Sequence, residues 1–307
     1  MPVFRAGRDL VRLEVSEPVV LEMAAALWAE APGGGAHAGE LRLGIEVTDG
    51  TVEGDPEEEL RWEVSDDETR LRAPGIEMTV RPRERIAAAT VARSLVALRP
   101  ALAARLLLEA PVTAMKMVGM QLLHAGAVVG PAGAAVVRGA AGAGKSTLVA
   151  ACRAAGMGFL GDESLLVDRD DTDRLEATLR DLVLTPDSAR LLGLTAASVP
   201  TFSGGERKRR VPLAEPLAPA DRLARRAATV LLGPREPGPA RLVPISGARF
   251  LEEFAAGAIP QERMYGGDPG AVARAWDGRG TYLLTGALDL PGAVDRIRDL
   301  VHGFGAR

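Results

Sequence analysis

The sequence predicts an α/β protein in two parts: a small α+β unit over residues 1–118, then a mixed sheet with helices over residues 119–307. Three observations carry this expectation. The first part combines helical apolar spacing, in "PVVLEMAAALWAEA", with period-two alternation, in "ELRLGIEVTDGTVEG". The second part opens with apolar β-type runs that flow through the Gly-rich stretch "GAAGAGKST" into a helical pattern. A length of 307 residues is long for one ordinary domain and allows each part its own core.

Taken in order, the helix in "PVVLEMAAALWAEA" is expected to end at Pro32, ahead of a "GGG" loop. Asp49-Gly50, inside the alternating run, predicts a hairpin turn. "LRWEVSDDETRLRAPGIEMTV" continues as short antiparallel strands. From Ile86 to Met117 the pattern turns helical, broken near Pro100 and Pro111, and joins the two parts near Val118. Next, "LLHAGAVVG" and "GAAVVRG" read as two strands about a Gly-Pro turn. The helix "KSTLVAACRAAG" is closed by Gly156, and "FLGDESLLV" returns as a strand or strand edge carrying acids. "ATVLLG" and "TYLLTGALDL" add strands on either side of the loop "GPREPGPA". "PGAVDRIRDLVHGFG" reads as an amphipathic helix with Pro291 near its start.

Composition narrows the function. Hydrophobic residues at 47% and charged ones at 25% are ordinary for a globular chain. A net charge of −4 gives no support to a nucleic-acid-binding surface. The single cysteine, Cys152, cannot form an intrachain disulfide, and no Cys/His group has zinc spacing. The start, "MPVFRAGRDLVRLEV", lacks the apolar core of a signal peptide. The most apolar region is interrupted by Arg, Pro, Glu and Lys, which a bilayer would penalise. The expectation is a cytoplasmic protein with no membrane or nucleic-acid partner.

Residues Gly139 to Ser146 fit G-x-x-x-x-G-K-S between an apparent strand and an apparent helix. Gly139, Gly142 and Gly144, spaced by Ala140, Ala141 and Ala143, let the backbone turn tightly and bring N–H groups near phosphate oxygens. Lys145 reaches the terminal phosphates, and the Ser146 hydroxyl, followed by Thr147, suits Mg²⁺. The helix N-terminus adds favourable potential for an anion. Gly and Ala are abundant here, so the glycines alone mean little; Lys-Ser at this offset makes Mg-nucleotide binding the expectation.

Asp162 follows 17 residues behind Lys145 (145 to 162), with Glu163 next, enough for one helix, a cap and a short returning strand. Such a strand can present both acids beside the phosphate loop. One could accept a proton from an attacking hydroxyl while the other helps hold the metal. The plainer reading is an acidic turn, which "DRDDTD" downstream also represents.

"LHAGAVVG", "GAAGAGKST" and "GFLGDE" resemble the HPr kinase/phosphorylase superfamily, and more closely its divergent HprK-like serine kinases. The resemblance covers Leu122 to Val167, and extends more loosely through "GERKRRVPL" and "YLLTGALDLPGAVDRI". It implies a P-loop related to that of phosphoenolpyruvate carboxykinase and ATP-dependent phosphorylation of a hydroxyl. Carried over by position, Asp162 resembles the catalytic acid/base, His124 the active-site histidine, and Glu163 stands where the family has a second Asp, beside the metal. Without the resemblance, His124 reads as a structural residue beside an apolar strand. The pattern that bifunctional members use for metal binding and phosphorolysis is not found after Asp171, which argues against a phosphorylase.

The run Arg207–Arg210 reads, on its residues alone, as a solvated loop leading into a strand. The resemblance moves Lys208 and Arg209 toward the nucleotide phosphates. The expected function is a kinase using ATP and Mg²⁺ on a serine of a protein or peptide, with homo-oligomers allowed. A nucleotide-dependent switch without a phosphorylated product, and a small-molecule biosynthetic kinase, remain alternatives.

Overall fold

Period-two alternation builds the first sheet one short segment at a time. The computed structural model describes residues 1–30, 39–56, 58–177, 182–194, 199–201, 208–211 and 223–303. One unit comprises Met1–Gly119 with Met264–Gly266, and the other the remaining described residues from Met120 onward.

In the first unit, β1 (Val3–Ala6), β2 (Asp9–Glu14), β3 (Ala29–Glu30), β4 (Glu40–Thr48), β5 (Arg61–Val64), β6 (Thr69–Ala73), β7 (Ile76–Arg81) and β8 (Ile86–Ala92) form one mixed sheet. Their order is β3-β1-β2-β4-β8-β7-β6-β5. Alternate residues such as Val11, Leu13, Leu41, Leu43, Leu71 and Met78 are buried. The helices are α1 (Pro18–Leu27), α2 (Arg93–Leu98), α3 (Pro100–Ala104) and α4 (Ala110–Lys116). The first of them stops at Trp28, whose extended backbone ends the helix and whose ring packs 6.3 Å from Phe4. Pro32, where the sequence placed the end, lies outside the described residues.

Three expectations for this unit are corrected. No hairpin forms at Asp49-Gly50: β4 pairs in parallel with both β2 and β8, so both of its edges are occupied. Gly50 is also absent from the positive-φ residues, whereas the Asp-Gly hairpin turn needs φ > 0 at both positions. Second, Ile86–Ala92 is a strand, not a helix. Its alanines favour a helix locally, but alternate burial and pairing with β4 and β7 override that preference. Third, the chain breaks at Arg99 before Pro100 but runs helically through Pro111. A π-turn over Arg105–Glu109 comes first, with the Ala110 N–H bonded to the Arg105 carbonyl. One widened turn accommodates a residue that has no N–H of its own.

In the second unit, β9 (Met120–Leu123), β10 (Gly126–Gly130) and β11 (Gly133–Arg138) lead into the Gly-rich loop and α5 (Lys145–Ala154). Gly156 follows that helix at φ 89°. Then come β12 (Gly158–Gly161), β13 (Leu165–Asp168), β14 (Arg174–Ala177), β15 (Leu182–Leu184), α6 (Pro186–Leu191), β16 (Val199–Thr201) and β17 (Lys208–Val211). The chain closes with β18 (Leu223–Leu232), β19 (Arg241–Pro244), α7 (Gly247–Ala256), α8 (Pro269–Trp276), β20 (Thr281–Thr285) and α9 (Leu290–His302). The main sheet runs β12-β10-β11-β18-β14-β13-β9, with β20 also on β18 and β19 on β20. β18 pairs antiparallel with β14 through Leu223–Arg225, and parallel with β11 and β20 through its later residues. A separate sheet has the order β15-β17-β16. α5 and α9 pack together against β10, and Phe250, Phe254 and Trp276 fill the core.

The chain is thus α/β, with mixed sheets. Among the described residues no helix is long and apolar enough to cross a membrane.

Candidate active site

β11 is buried along nearly its whole length and delivers Arg138 directly to the start of the Gly-rich loop. Gly142 (φ 76°) and Gly144 (φ 102°) both sit in the left-handed region. Side chains other than glycine's pay for that conformation, which is why these two positions are glycine. Left-handed residues of this kind can turn N–H groups toward an anion, although the Ala143 N–H between them donates to the Ala140 carbonyl at 3.2 Å. The Lys145 ammonium is buried and donates to the Gly139 carbonyl (2.9 Å) and the Ala140 carbonyl (3.2 Å), so it closes the loop on itself. Ala140, Ala141 and Gly142 are exposed at its lip, with Ala143 half-buried behind them.

After β12 the chain turns a corner at Asp162–Ser164 before β13 begins, so "FLGDESLLV" is two strands with the acids between them. Asp162 is only 1% exposed, and its carboxylate is well occupied. Oδ1 accepts from the Ser146 hydroxyl (3.0 Å) and the Glu163 N–H (3.0 Å), and Oδ2 accepts from the Val183 N–H (3.1 Å). Glu163 has φ 64°, a left-handed conformation that costs a non-glycine residue about 1 kcal/mol or more. The corner is thus strained at the residue following the buried acid. Glu163 itself is half-buried.

His124 follows β9, with Nδ1 3.1 Å from the Glu163 carbonyl oxygen. A carbonyl only accepts, so Nδ1 carries the proton in this contact. The His124 N–H donates to Glu262 Oε1 at 2.6 Å. Glu262 takes a two-pronged ion pair from Arg138, at 2.7 and 2.9 Å, with both side chains at 0% exposure. Arg138 Nε also donates to the Phe254 carbonyl at 2.9 Å, and its guanidinium lies 4.2 Å from the Phe254 ring centroid. A chain of contacts, buried at Arg138–Glu262 and partly buried at His124, therefore joins the end of β11, where the Gly-rich loop starts, to the acid corner.

Of the sequence-derived candidates, Gly139 through Ser146, Asp162, Glu163 and His124 come together. Thr147 shares its hydroxyl with Ser188 of α6 at 2.8 Å. Lys208 and Arg209 fall on β17, where Arg209 is the register partner of Leu184, one residue from the Val183 that Asp162 holds. Their side chains lie outside the described residues, as does Arg207. Cys152 is buried, and burial pushes its thiol up to about 12, as befits a core residue rather than a nucleophile. Among the described residues no group of three or more His, Cys, Asp or Glu side chains converges to hold a metal unaided.

Sequence reasoning missed Arg138, Glu262 and Arg235. Arg138 was visible only as a charge ending an apolar strand, and Glu262 lies in an irregular 3₁₀ segment, Pro260–Gly266. Arg235, in the "GPREPGPA" loop, places Nη2 2.7 Å from where a Cβ on Gly144 would stand, and its Nε donates to the Ala143 carbonyl at 3.4 Å. It brings an exposed positive charge onto the Gly-rich loop. Compared with models of protein families and with curated proteins, the chain matches none.

Proposed function

We propose that the second unit is a cytoplasmic ATP-dependent kinase of HprK-like type, transferring the γ-phosphoryl group to a hydroxyl, with a serine of a protein or peptide as the first acceptor to test. The observation that carries this reading is the 3.0 Å hydrogen bond from Ser146 Oγ to Asp162 Oδ1. The hydroxyl at the first turn of α5 and the acid behind β12 meet, and together they would hold a cation that neutralises phosphate charge. The left-handed glycines fit an anion, and the hydroxyl and carboxylate are the hard oxygen donors that suit Mg²⁺. Bound there, Mg²⁺ supplies neutralisation of the charge that spreads over the transferring group.

Each side chain then has a task. Loop N–H groups and the Lys145 ammonium bind the terminal phosphates. Asp162, buried and held by three donors, suits the cation beside Ser146. Glu163, more exposed than Asp162, suits the acceptor's proton, a division opposite to the one the sequence suggests. His124 acts as a positioning residue, fixing the Glu163 backbone through Nδ1. The first unit would position the acceptor or mediate assembly.

The Asp162–Val183 contact favours a second reading. It couples Ser146 to β15, as a nucleotide-driven switch would require. Incubating the protein with γ-labelled ATP and native lysate separates the two. A labelled acceptor supports the kinase; labelled inorganic phosphate alone replaces it with the switch.

The division between the acids makes its own prediction. Asp162→Asn is expected to raise the Mg²⁺ concentration needed for half-maximal turnover. Glu163→Gln is expected to lower turnover at saturating Mg²⁺ by about 100-fold or more, the usual range for a lost general base. Should Asp162→Asn keep the wild-type Mg²⁺ dependence yet lose turnover at saturation, the base is Asp162, as the sequence suggested.

A further inference from the structure

The outer edge of the first unit's sheet carries a pattern that the kinase reading does not use. β5 ends the strand order and pairs only with β6 among the described residues. Across the sheet, Trp62 stands opposite Leu71 and Met78, and Val64 opposite Thr69 and Val80. Those inner partners are buried, whereas Trp62 is 43% and Val64 44% exposed. The core-facing side of the sheet therefore continues past its cover onto an open strand edge.

The other side of β5 holds Arg61 and Glu63, both exposed. Arg61 faces Arg72, a like charge that pairs with Glu77 at 2.9 Å. Glu63 faces Arg70, which pairs with Glu68 at 2.7 Å. No ion pair involves Arg61 or Glu63 among the described residues. An open edge is a template for a further strand, and natural edges often repel one with like charges or proline. Here the charges are of opposite sign and two residues apart.

That spacing is self-complementary. Two copies of β5 continuing the sheet antiparallel are related by a two-fold axis perpendicular to it. The axis keeps each face on its own side, so it passes beside a residue rather than between two. Centred on Arg61 it sets arginine against arginine, and centred on Glu63 it sets glutamate against glutamate, both destabilising. Centred on Trp62 it sets each Arg61 opposite the other copy's Glu63, stacks the two Trp62 rings on the core side, and brings Leu60 opposite Val64. Of the three, this register alone satisfies both faces.

We propose that β5 is a homodimerisation edge, with two chains joining their first-unit sheets through antiparallel β5 strands centred on Trp62. So short a strand pair buries little area, so the dimer is a weak, concentration-dependent one. Analytical ultracentrifugation of the full chain over a wide concentration range tests this. The expected result is a monomer–dimer equilibrium that Arg61→Glu or Glu63→Arg each weakens about tenfold or more, since each turns two attractive pairs into repulsive ones. The double exchange Arg61→Glu with Glu63→Arg is expected to restore it. Both positions are exposed, and unchanged circular dichroism confirms that the variants fold. A chain monomeric throughout, or a dimer indifferent to both single reversals, overturns the proposal.

Discussion

Replacing Lys145 with alanine is expected to weaken ATP binding by about two orders of magnitude while leaving the circular dichroism spectrum unchanged. The size follows from losing a charge-assisted contact to phosphate, of about 1.5–3 kcal/mol. The same ammonium bonds the carbonyls of Gly139 and Ala140, so its removal also loosens the loop that would meet the phosphates. The rest of the fold is insulated from that loss, because α5 is held by Leu148, Val149 and Cys152 in the core. Calorimetric titration with Mg-ATP measures the effect. Wild-type affinity in a folded Lys145→Ala protein would remove the nucleotide assignment and everything built on it.

The other large effect is on stability. Arg138→Met leaves Glu262 as a fully buried carboxylate without its cation, and removing one partner of such a pair costs about 3–5 kcal/mol. Urea unfolding followed by tryptophan emission reads this, since Trp276 packs edge-on to Phe254, 6.0 Å between ring centroids. Adding Glu262→Met should recover part of the loss, because two apolar side chains then replace two charges. It cannot recover all of it. The half-buried His124 backbone N–H would lose its acceptor, which costs up to the roughly 1–3 kcal/mol of a fully buried orphaned donor. A single variant as stable as wild type would mean that the pair is incidental.

What the sequence displayed and what it hid divide along a physical line. The strand–loop–helix through Gly139–Ser146, Gly156 after α5 and the amphipathic α9 were legible because contiguous residues encode them. The Asp49-Gly50 turn and the Ile86–Ala92 strand were misread because pairing partners far along the chain decide them: β2 and β8 occupy β4, and β4 and β7 claim β8. The site divides in the same way. Asp162 and Glu163 were visible as neighbours, but three donors converge on Asp162 from the Ser146 hydroxyl and the Glu163 and Val183 backbones, and no local pattern announces Val183. Glu262 was invisible for a related reason. Its role comes from meeting Arg138, 124 residues away.

The bond from the Val183 amide to Asp162 Oδ2 also makes one proton of the backbone an observer of the candidate site. An amide held by a buried carboxylate exchanges with solvent deuterium only when that contact opens. If a cation beside Ser146 draws Asp162 toward it, the Val183 proton should exchange faster, while its neighbour Leu184, whose strand pairs with Arg209, keeps its rate. Occupancy of the Gly-rich loop would then be readable as a change in deuterium uptake at a single position on β15, without any acceptor in hand and before any group has been transferred.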